Sequence, residues 1–561
     1  MTFPLMEPAS GGGFDLPLEL LPALYAELHY RKWFLPSFLY RDRAEVIADL
    51  PARLEPGWES DSMPVLLYLR DAHRFPCTVE SVRVQLWQGA EARTLAEIPL
   101  EWRCRAPFEH RILGLPLGDS ARSGQAEVRV CFRIRQDGGR WRGRRDEVWG
   151  DNYPGSSRCP GLPTYLAADP YPSVRGWSAG DLHHHTAYTA DQVEFGAPPE
   201  VTAVLGGAAG CDWAALTDHS YDLDDQPESF LHNDPDRRRW RAFQREVETI
   251  NRRGRGALLV PGEELSCGGE KGNIHLLVLG VADLIPGTGD GAERWFWNEP
   301  TLPLTEALRR IRRANGVAYA AHPFESVGAL SRVAFKRGTW TPGDAVQEGV
   351  AGLQIWNGRQ HSDLEPGIER WLRLLDAGRR LAIGAGNDAH GGFTLARTVR
   401  VPFAWMDRDR AQIYGRARTQ VEIRGALSME TVVGGLSRGR SFVTNGPSLI
   451  LTATSGTGDP TLPGDRVPGS SLTRITVRAS STAEFGAPER VDLWFGQPGA
   501  GERRLASGRP MSASPWSVEL EVQAPAVSGP GWIRAELHGE RASEADIEAR
   551  ALTNPIWLEP A

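Results

Sequence analysis

The sequence predicts an α/β protein in which a central region of alternating strands and helices is flanked on both sides by β-rich regions. Two observations carry the prediction. Between residues 177 and 445, short apolar runs alternate with segments whose apolar residues recur at helical spacing, the pattern of a parallel β/α architecture. Before and after that stretch, apolar and polar residues alternate in short runs separated by turn-rich segments, as in antiparallel β-sandwiches. The chain has 561 residues, well beyond the roughly 250–300 at which one core stops growing. Three domains are therefore expected, at 1–175, 176–446 and 447–561.

In the first region Pro64-Val65-Leu66-Leu67-Tyr68-Leu69, Val82-Arg83-Val84-Gln85-Leu86-Trp87 and residues 126–134 read as strands, while residues 16–50 admit a helix. Pro, Gly and Ser crowd residues 151–172, the composition of a linker. Seven strand candidates follow, at 181–183, 215–217, 258–260, 275–278, 317–319, 353–356 and 381–384. Between them, residues 238–251, 304–314 and 367–377 carry apolar side chains at helical spacing. After Pro447 the alternation returns, in Arg474-Ile475-Thr476-Val477-Arg478 and Arg490-Val491-Asp492-Leu493-Trp494-Phe495 for example, and predicts a second β-sandwich.

The composition, 41% hydrophobic and 24% charged, is that of a globular chain. A formal charge of −8 offers a polyanion no general attraction, so long nucleic acid is not an expected partner. The Arg-rich runs at 140–145 and 237–239 read as solvated faces. No apolar run is long enough to span a bilayer, and the first residues lack the charged and apolar parts of a secretory signal, so no membrane partner is expected. Cys77, Cys104, Cys131, Cys159, Cys211 and Cys267 are scattered without a Cys-x-x-Cys pair, which fits structural thiols in a reduced, cytoplasmic setting.

The chemistry concentrates in the central region. Nine of the 13 histidines lie between residues 183 and 390, most of them at or just after a predicted strand. In parallel β/α folds the C-terminal strand ends are where active sites assemble. There the chain places His183, His185, Asp191, Asp218, His219, Glu263, Glu264, His275, His322, Asp388 and His390. His183-x-His185 turns two imidazoles to one side of a strand, because side chains alternate with a period of two; Asp388-Ala389-His390 does the same with a carboxylate and an imidazole. Nitrogen and oxygen donors without thiolates suit Zn, Mn or Fe and disfavour a structural Cys-type zinc site. Gathering so many ionisable groups would cost several kcal/mol per buried ion unless each is paired or metal-bound.

Five segments, Gly180-Asp181-Leu182-His183-His184-His185-Thr186, Thr217-Asp218-His219, Pro261-Gly262-Glu263-Glu264, Ala321-His322-Pro323 and Gly386-Asn387-Asp388-Ala389-His390-Gly391, resemble in order the motifs of the PHP (polymerase and histidinol phosphatase) family. The resemblance implies a distorted seven-stranded β/α barrel with a centre of two to three divalent ions (Zn, Mn or Fe). Carried over position by position, it makes His183, His185, Asp191, His219, Glu264, His275, His322, Asp388 and His390 the metal ligands, with Glu264 bridging two ions and with Glu264, His275 and Asp388 at the catalytic centre. His184 falls on the opposite side of its strand and is expected to be structural. The flanking β-regions and the phrases Gly439-Arg440-Ser441-Phe442-Val443-Thr444-Asn445-Gly446-Pro447 and Leu552-Thr553-Asn554-Pro555-Ile556-Trp557 look like a PHP subgroup that includes carbaryl-type ester hydrolases.

Such a centre supplies hydroxide at neutral pH and clamps the oxygens of a reacting phosphoryl or acyl group, so the expected activity is hydrolysis of a small-molecule phosphoester. Lys271, Arg359 and Arg397 are candidate phosphate-binding cations. A carboxylic or carbamic ester or amide is the alternative substrate. A binding or scaffold protein with structural metals is the alternative of a different class.

Overall fold

The seven apolar runs of the central region all become strands, but one of them runs against its neighbours. In a computed structural model of the chain, the described residues are 43–560 except 119–120, 153–160, 190–195, 227–228, 288–299, 326–335, 401–404, 456–459, 512–513, 526, 528 and 542–547. The central strands are β1 (Trp177–His185), β2 (Trp213–Leu216), β3 (Leu258–Gly269), β4 (Gly272–Leu279), β5 (Val317–Ala320), β6 (Gly352–Asn357), β7 (Ala382–Gly386), β8 (Ala389–His390), β9 (Arg418–Glu422) and β10 (Ser441–Thr444). Helices Arg238–Arg253, Leu304–Arg313 and Glu365–Asp376 occupy the three predicted helical segments. Each buries one stripe spaced three and four residues apart, Trp240, Phe243, Val247 and Ile250 in the first, as a helix lying on a sheet requires.

The sheet order is β7-β6-β5-β4-β3-β2-β1-β9-β10. Strands β1, β2 and β3 pair in parallel, as do β5, β6 and β7, but β4 is antiparallel to both β3 and β5. The cause is local. Residues 261–269 extend β3 until only Glu270 and Lys271 separate it from β4, and a two-residue connection can only form an antiparallel hairpin.

The fold class needs correction here: the distorted seven-stranded β/α barrel does not form. Both edges of β1 are taken, by β2 on one side and by β9 and β8 on the other, so no ladder joins β7 back to β1 and the sheet stays open. It continues instead through β10 into strands Glu548–Thr553, Gly531–Arg541, Pro488–Gln497 and Gly501–Gly508. Among the described residues strands outweigh helices, and the molecule is predominantly β rather than an α/β barrel with separate β-sandwiches attached.

The remaining elements support this sheet. Strands Glu45–Asp49, Ser62–Arg70 and Phe108–Pro116 form a small sheet that shares a core with a larger one containing Cys77–Gln88 and Gly124–Gln136, through Val65 and Leu67 on one side and Val82, Val84 and Phe132 on the other. Leu162–Leu166 pairs with Gly124–Gln136, so that part of the expected linker is a strand. The stretch at 16–50 lies outside the described residues up to 42, and its end is the strand Glu45–Asp49. Asp49 fastens this region to the centre by accepting from Phe393 N at 3.1 Å and Thr394 N at 3.2 Å. Among the described residues, no helix is long and apolar enough to cross a membrane.

Although β7 and β1 share no ladder, they lie very close. Asp388 N donates to His183 O at 2.9 Å, and a Cβ added to Gly386 would sit 2.6 Å from His183 N and 2.7 Å from His183 Cβ. Only glycine permits that approach. Gly386→Ala is expected to cost about 1–3 kcal/mol, the usual penalty of overpacking, read as a lower denaturation midpoint in urea; an unchanged midpoint would show that β7 can move off β1 freely.

Candidate metal centre

Strand alternation places the first two donors. His183 and His185 point from β1 to one side, while His184 points to the other and bonds Thr202 Oγ1 through Nε2 at 3.0 Å, between Phe393 and Tyr414. The hairpin places the next pair. Glu264 faces Leu277 and Ser266 faces His275 in the β3–β4 register, so Glu264 and His275 are diagonal neighbours on one face, and His275 Nδ1 lies 2.5 Å from Glu264 Oε1. His219 follows β2 and forms a parallel bridge with Glu264. His390, on β8, sits opposite His185 with the two rings stacked at 4.1 Å.

His322 and Asp388 arrive differently. Both have left-handed backbone, at φ 28° and φ 51°, a region that costs a residue other than glycine on the order of 1–3 kcal/mol and persists where the surroundings enforce it. Asp388 is held by the His183 carbonyl and by the preceding turn, in which Asn387 N and Nδ2 donate to the buried Asp181 carboxylate at 3.1 and 2.7 Å. Strain of this kind at two converging side chains marks a place where position matters more than stability.

Glu264 is the centre of the cluster. Its carboxylate oxygens lie 3.5 Å from His183 Nε2, 3.3 Å from His185 Nε2, 3.0 Å from His219 Nδ1, 2.5 Å from His275 Nδ1 and 3.0 Å from His322 Nε2. Asp388 Oδ1 adds contacts of 3.3 and 3.1 Å to His183 and His185 Nε2. Three overlapping groups could each hold an ion: His185, His219 and His390; His183, His185, Glu264 and Asp388; and His219, Glu264 and His275.

Hydrogen bonding shows that these donors fit a metal. His183 Nδ1 lies 2.9 Å from Gln354 Oε1, which can only accept, so Nδ1 carries a proton and, in the neutral ring that a metal requires, Nε2 presents the lone pair. His185 Nδ1 lies 3.0 Å from Thr189 Oγ1, whose own proton goes to Asp218 Oδ1 at 2.9 Å, and the same assignment follows. Between neutral imidazoles two Nε2 lone pairs would then meet at 3.0 Å, a repulsion that either a proton on His183 Nε2 or a metal ion between them relieves. His219 Nδ1, although 3.0 Å from Glu264 Oε2, makes no hydrogen bond. A bound ion would reconcile both contacts.

Without metal, protons answer the charges of the cluster. Burial alone would push the His183 imidazole down, but the Asp388 and Glu264 carboxylates hold it up at about 9. Burial and the neighbouring His185 push His219 down to about 4. Glu264 and Asp388 stay well below the usual carboxylate range because the surrounding imidazoles outweigh their burial. The side chains of His183, His185, Glu264 and His275 are at most 1% exposed, whereas Asp388 is 17% and His390 11% exposed, so the cluster opens to solvent on the Asp388 side.

All the predicted ligands except Asp191, which lies outside the described residues, come together. Asp218 does not join them: it accepts from Thr186 N, Thr186 Oγ1, Thr189 N and Thr189 Oγ1, and so shapes the turn after β1. Glu263 faces away, accepting from Ile285 N at 3.0 Å. Lys271 is exposed at the hairpin tip, about 13 Å along the strand from His275 at the usual rise per residue, and Arg359 lies beside Asp363. Arg397 is on the strand Ala396–Arg400, and its side chain is outside the described residues. Sequence reasoning missed Thr189, Gln354, Asn357 and Asp181; of these only Asp181, two residues before His183 in the same strand, carried a readable signal.

No family model matches the sequence, and no curated protein matches it. Similar solved structures include a calcium-binding mutant of Bacteroides uniformis beta-glucuronidase 2, at 10% identity over 92% of this chain and 60% of that one, with a TM-score of 0.18. Another is a cycloisomaltooligosaccharide glucanotransferase of Paenibacillus sp. complexed with cycloisomaltoheptaose, at 10% identity over 91% of this chain and 71% of that one, with a TM-score of 0.17. The chain thus spans 60% of the length of the glucuronidase chain, and likenesses this low say nothing of its chemistry.

Without metal, pH should act on the fold in one direction. His183 is raised from 6.5 to about 9, and burial, reinforced by Asp224, raises Glu263 from 4.5 to about 8. A group raised on folding stabilises below its unfolded value and loses that contribution as pH climbs through the folded one. The metal-stripped protein should therefore melt at falling temperature from pH 6.5 to 9, whereas Zn²⁺-loaded protein should fall less steeply, since metal displaces the proton of His183 and leaves that of Glu263. Melting curves at matched pH decide; a metal-stripped protein that gains stability across that window would contradict the described electrostatics.

Proposed function

We propose that this chain is a metal-dependent hydrolase of the PHP type acting on a small phosphoester, with two to three divalent ions held by His183, His185, His219, Glu264, His275, His322, Asp388 and His390. The observation that carries the reading is Glu264, one buried carboxylate within 3.5 Å of five imidazole nitrogens. The reading rests on this site and its motifs rather than on fold, since an open sheet can carry the chemistry as well as a barrel can.

Bound divalent ions lower the pKa of water towards neutrality and polarise the oxygens of the substrate. The chain's own residues do the rest. Glu264 spaces the ligand groups on either side of it, His183 and His185 present oriented lone pairs, and the buried wall of β1, β3 and β4 excludes water from behind the cluster. Substrate reaches it from the Asp388 side, the exposed one. Charge favours an anion there: two carboxylates facing two or three dications leave the centre positive, which attracts a phosphoester more strongly than a neutral ester.

The test is a panel of phosphomonoesters, phosphodiesters and carboxylic esters on protein reconstituted with Zn²⁺ or Mn²⁺, with metal content measured alongside. Phosphoester turnover should dominate, and Glu264→Gln should lose bound metal and about 10²–10³-fold or more in kcat/KM, corresponding to several kcal/mol of metal-derived stabilisation. Turnover of carboxylic esters alone would overturn the phosphoester reading, and full activity in metal-free Glu264→Gln would overturn the metal reading.

A further inference from the structure

In a regular strand the side chains at i and i+3 point to opposite faces. Strand β6 is not regular. Its pairing with β7 sets Gln354 opposite Gly384 but Trp356 opposite Ala385, so two residues of β6 pass where one of β7 does, which is a β-bulge. The extra residue brings Asn357 round to the face that Gln354 occupies. There Gln354 Nε2 donates to Asn357 Oδ1 at 2.8 Å.

The two amides reach three candidate ligands. Gln354 Oε1 accepts from His183 Nδ1 at 2.9 Å and from His322 N at 3.2 Å. The backbone N–H can only donate, which fixes this amide atom as the oxygen. Asn357 Nδ2 donates to Asp388 Oδ2 at 3.4 Å. Both amides are buried, Gln354 at 1% and Asn357 at 3% exposed. His322 and Asp388, at the two ends of this chain of bonds, are also the two cluster residues with left-handed backbone.

We propose that Gln354 and Asn357 form a positioning relay, built by the β6 bulge, that fixes the His183 tautomer and aims Asp388, and thereby sets the metal affinity of the centre. The inference rests on the metal reading above. A carboxamide accepts from His183 and donates to Asn357 at once. Glutamate keeps the contact that orients His183 and loses the donation to Asn357, and leucine keeps neither.

The experiment is a Zn²⁺ titration of the full chain in competition with a chromogenic chelator. Gln354→Leu should bind Zn²⁺ about 10–100-fold more weakly, as loss of a partner behind a ligand does, Asn357→Ala should also weaken it, and Gln354→Glu, which keeps the His183 contact alone, should recover part of the loss. Wild-type affinity in folded Gln354→Leu, or a Gln354→Glu variant as weak as Gln354→Leu, would overturn the relay. If wild type takes up no Zn²⁺, the metal reading fails, and the relay is judged separately in the metal-free protein by the hydrogen-bonded Nδ1 proton of His183. That resonance should shift or vanish in Gln354→Leu and persist in Gln354→Glu; an unmoved resonance in Gln354→Leu overturns the relay too.

Discussion

The carboxylate of Glu264 governs the arrangement of the central region. It is buried and lies within hydrogen-bonding or ion-pairing reach of imidazoles from β1, β4, the end of β2 and the turn after β5. A buried carboxylate is tolerated only if its charge is answered, and here the five imidazoles come from four separate parts of the sheet. The tight hairpin that breaks the parallel order at β4 also puts His275 on the Glu264 face, diagonal to it.

Around that carboxylate the chain accepts strain and close approach. His322 and Asp388 adopt left-handed backbone, and Gly386 lets β7 come against β1 without a ladder. The neighbouring polar residues hold these positions in place: Asp181 anchors the Asn387 turn, Asp218 and Thr189 orient His185, and Gln354 orients His183. His183 and His185, each oriented from behind, are preorganised to present Nε2 to a bound ion.

Much of this site was legible in the sequence, for a definite reason. A strand has period two, so His183-x-His185 declares its facing without any knowledge of the fold, and motif residues at strand ends converge wherever those strands pair. The fold was less legible. The run Pro261 to Gly269 carries Gly and paired Glu residues that read as a loop after a short strand, yet it continues β3 and turns the next strand antiparallel. The two occupied edges of β1, which keep the sheet from closing, depend on β9, more than 200 residues later in the chain, and no local pattern reports such a pairing. Gln354 and Asn357 stayed hidden because the bulge that joins them is a property of the register with β7.

On the function proposed above, metal ions rather than shared protons fill the space between His183 Nε2, His185 Nε2 and the Glu264 carboxylate. Anomalous X-ray scattering from crystals of the metal-reconstituted protein, collected at the absorption edge of the supplied metal, addresses it most directly. Two or three anomalous peaks are expected, one of them beside both Nε2 atoms and at least one beside Glu264. A map without peaks there, with Glu264 paired directly to protonated histidines in protein whose solution contained saturating metal, would contradict it.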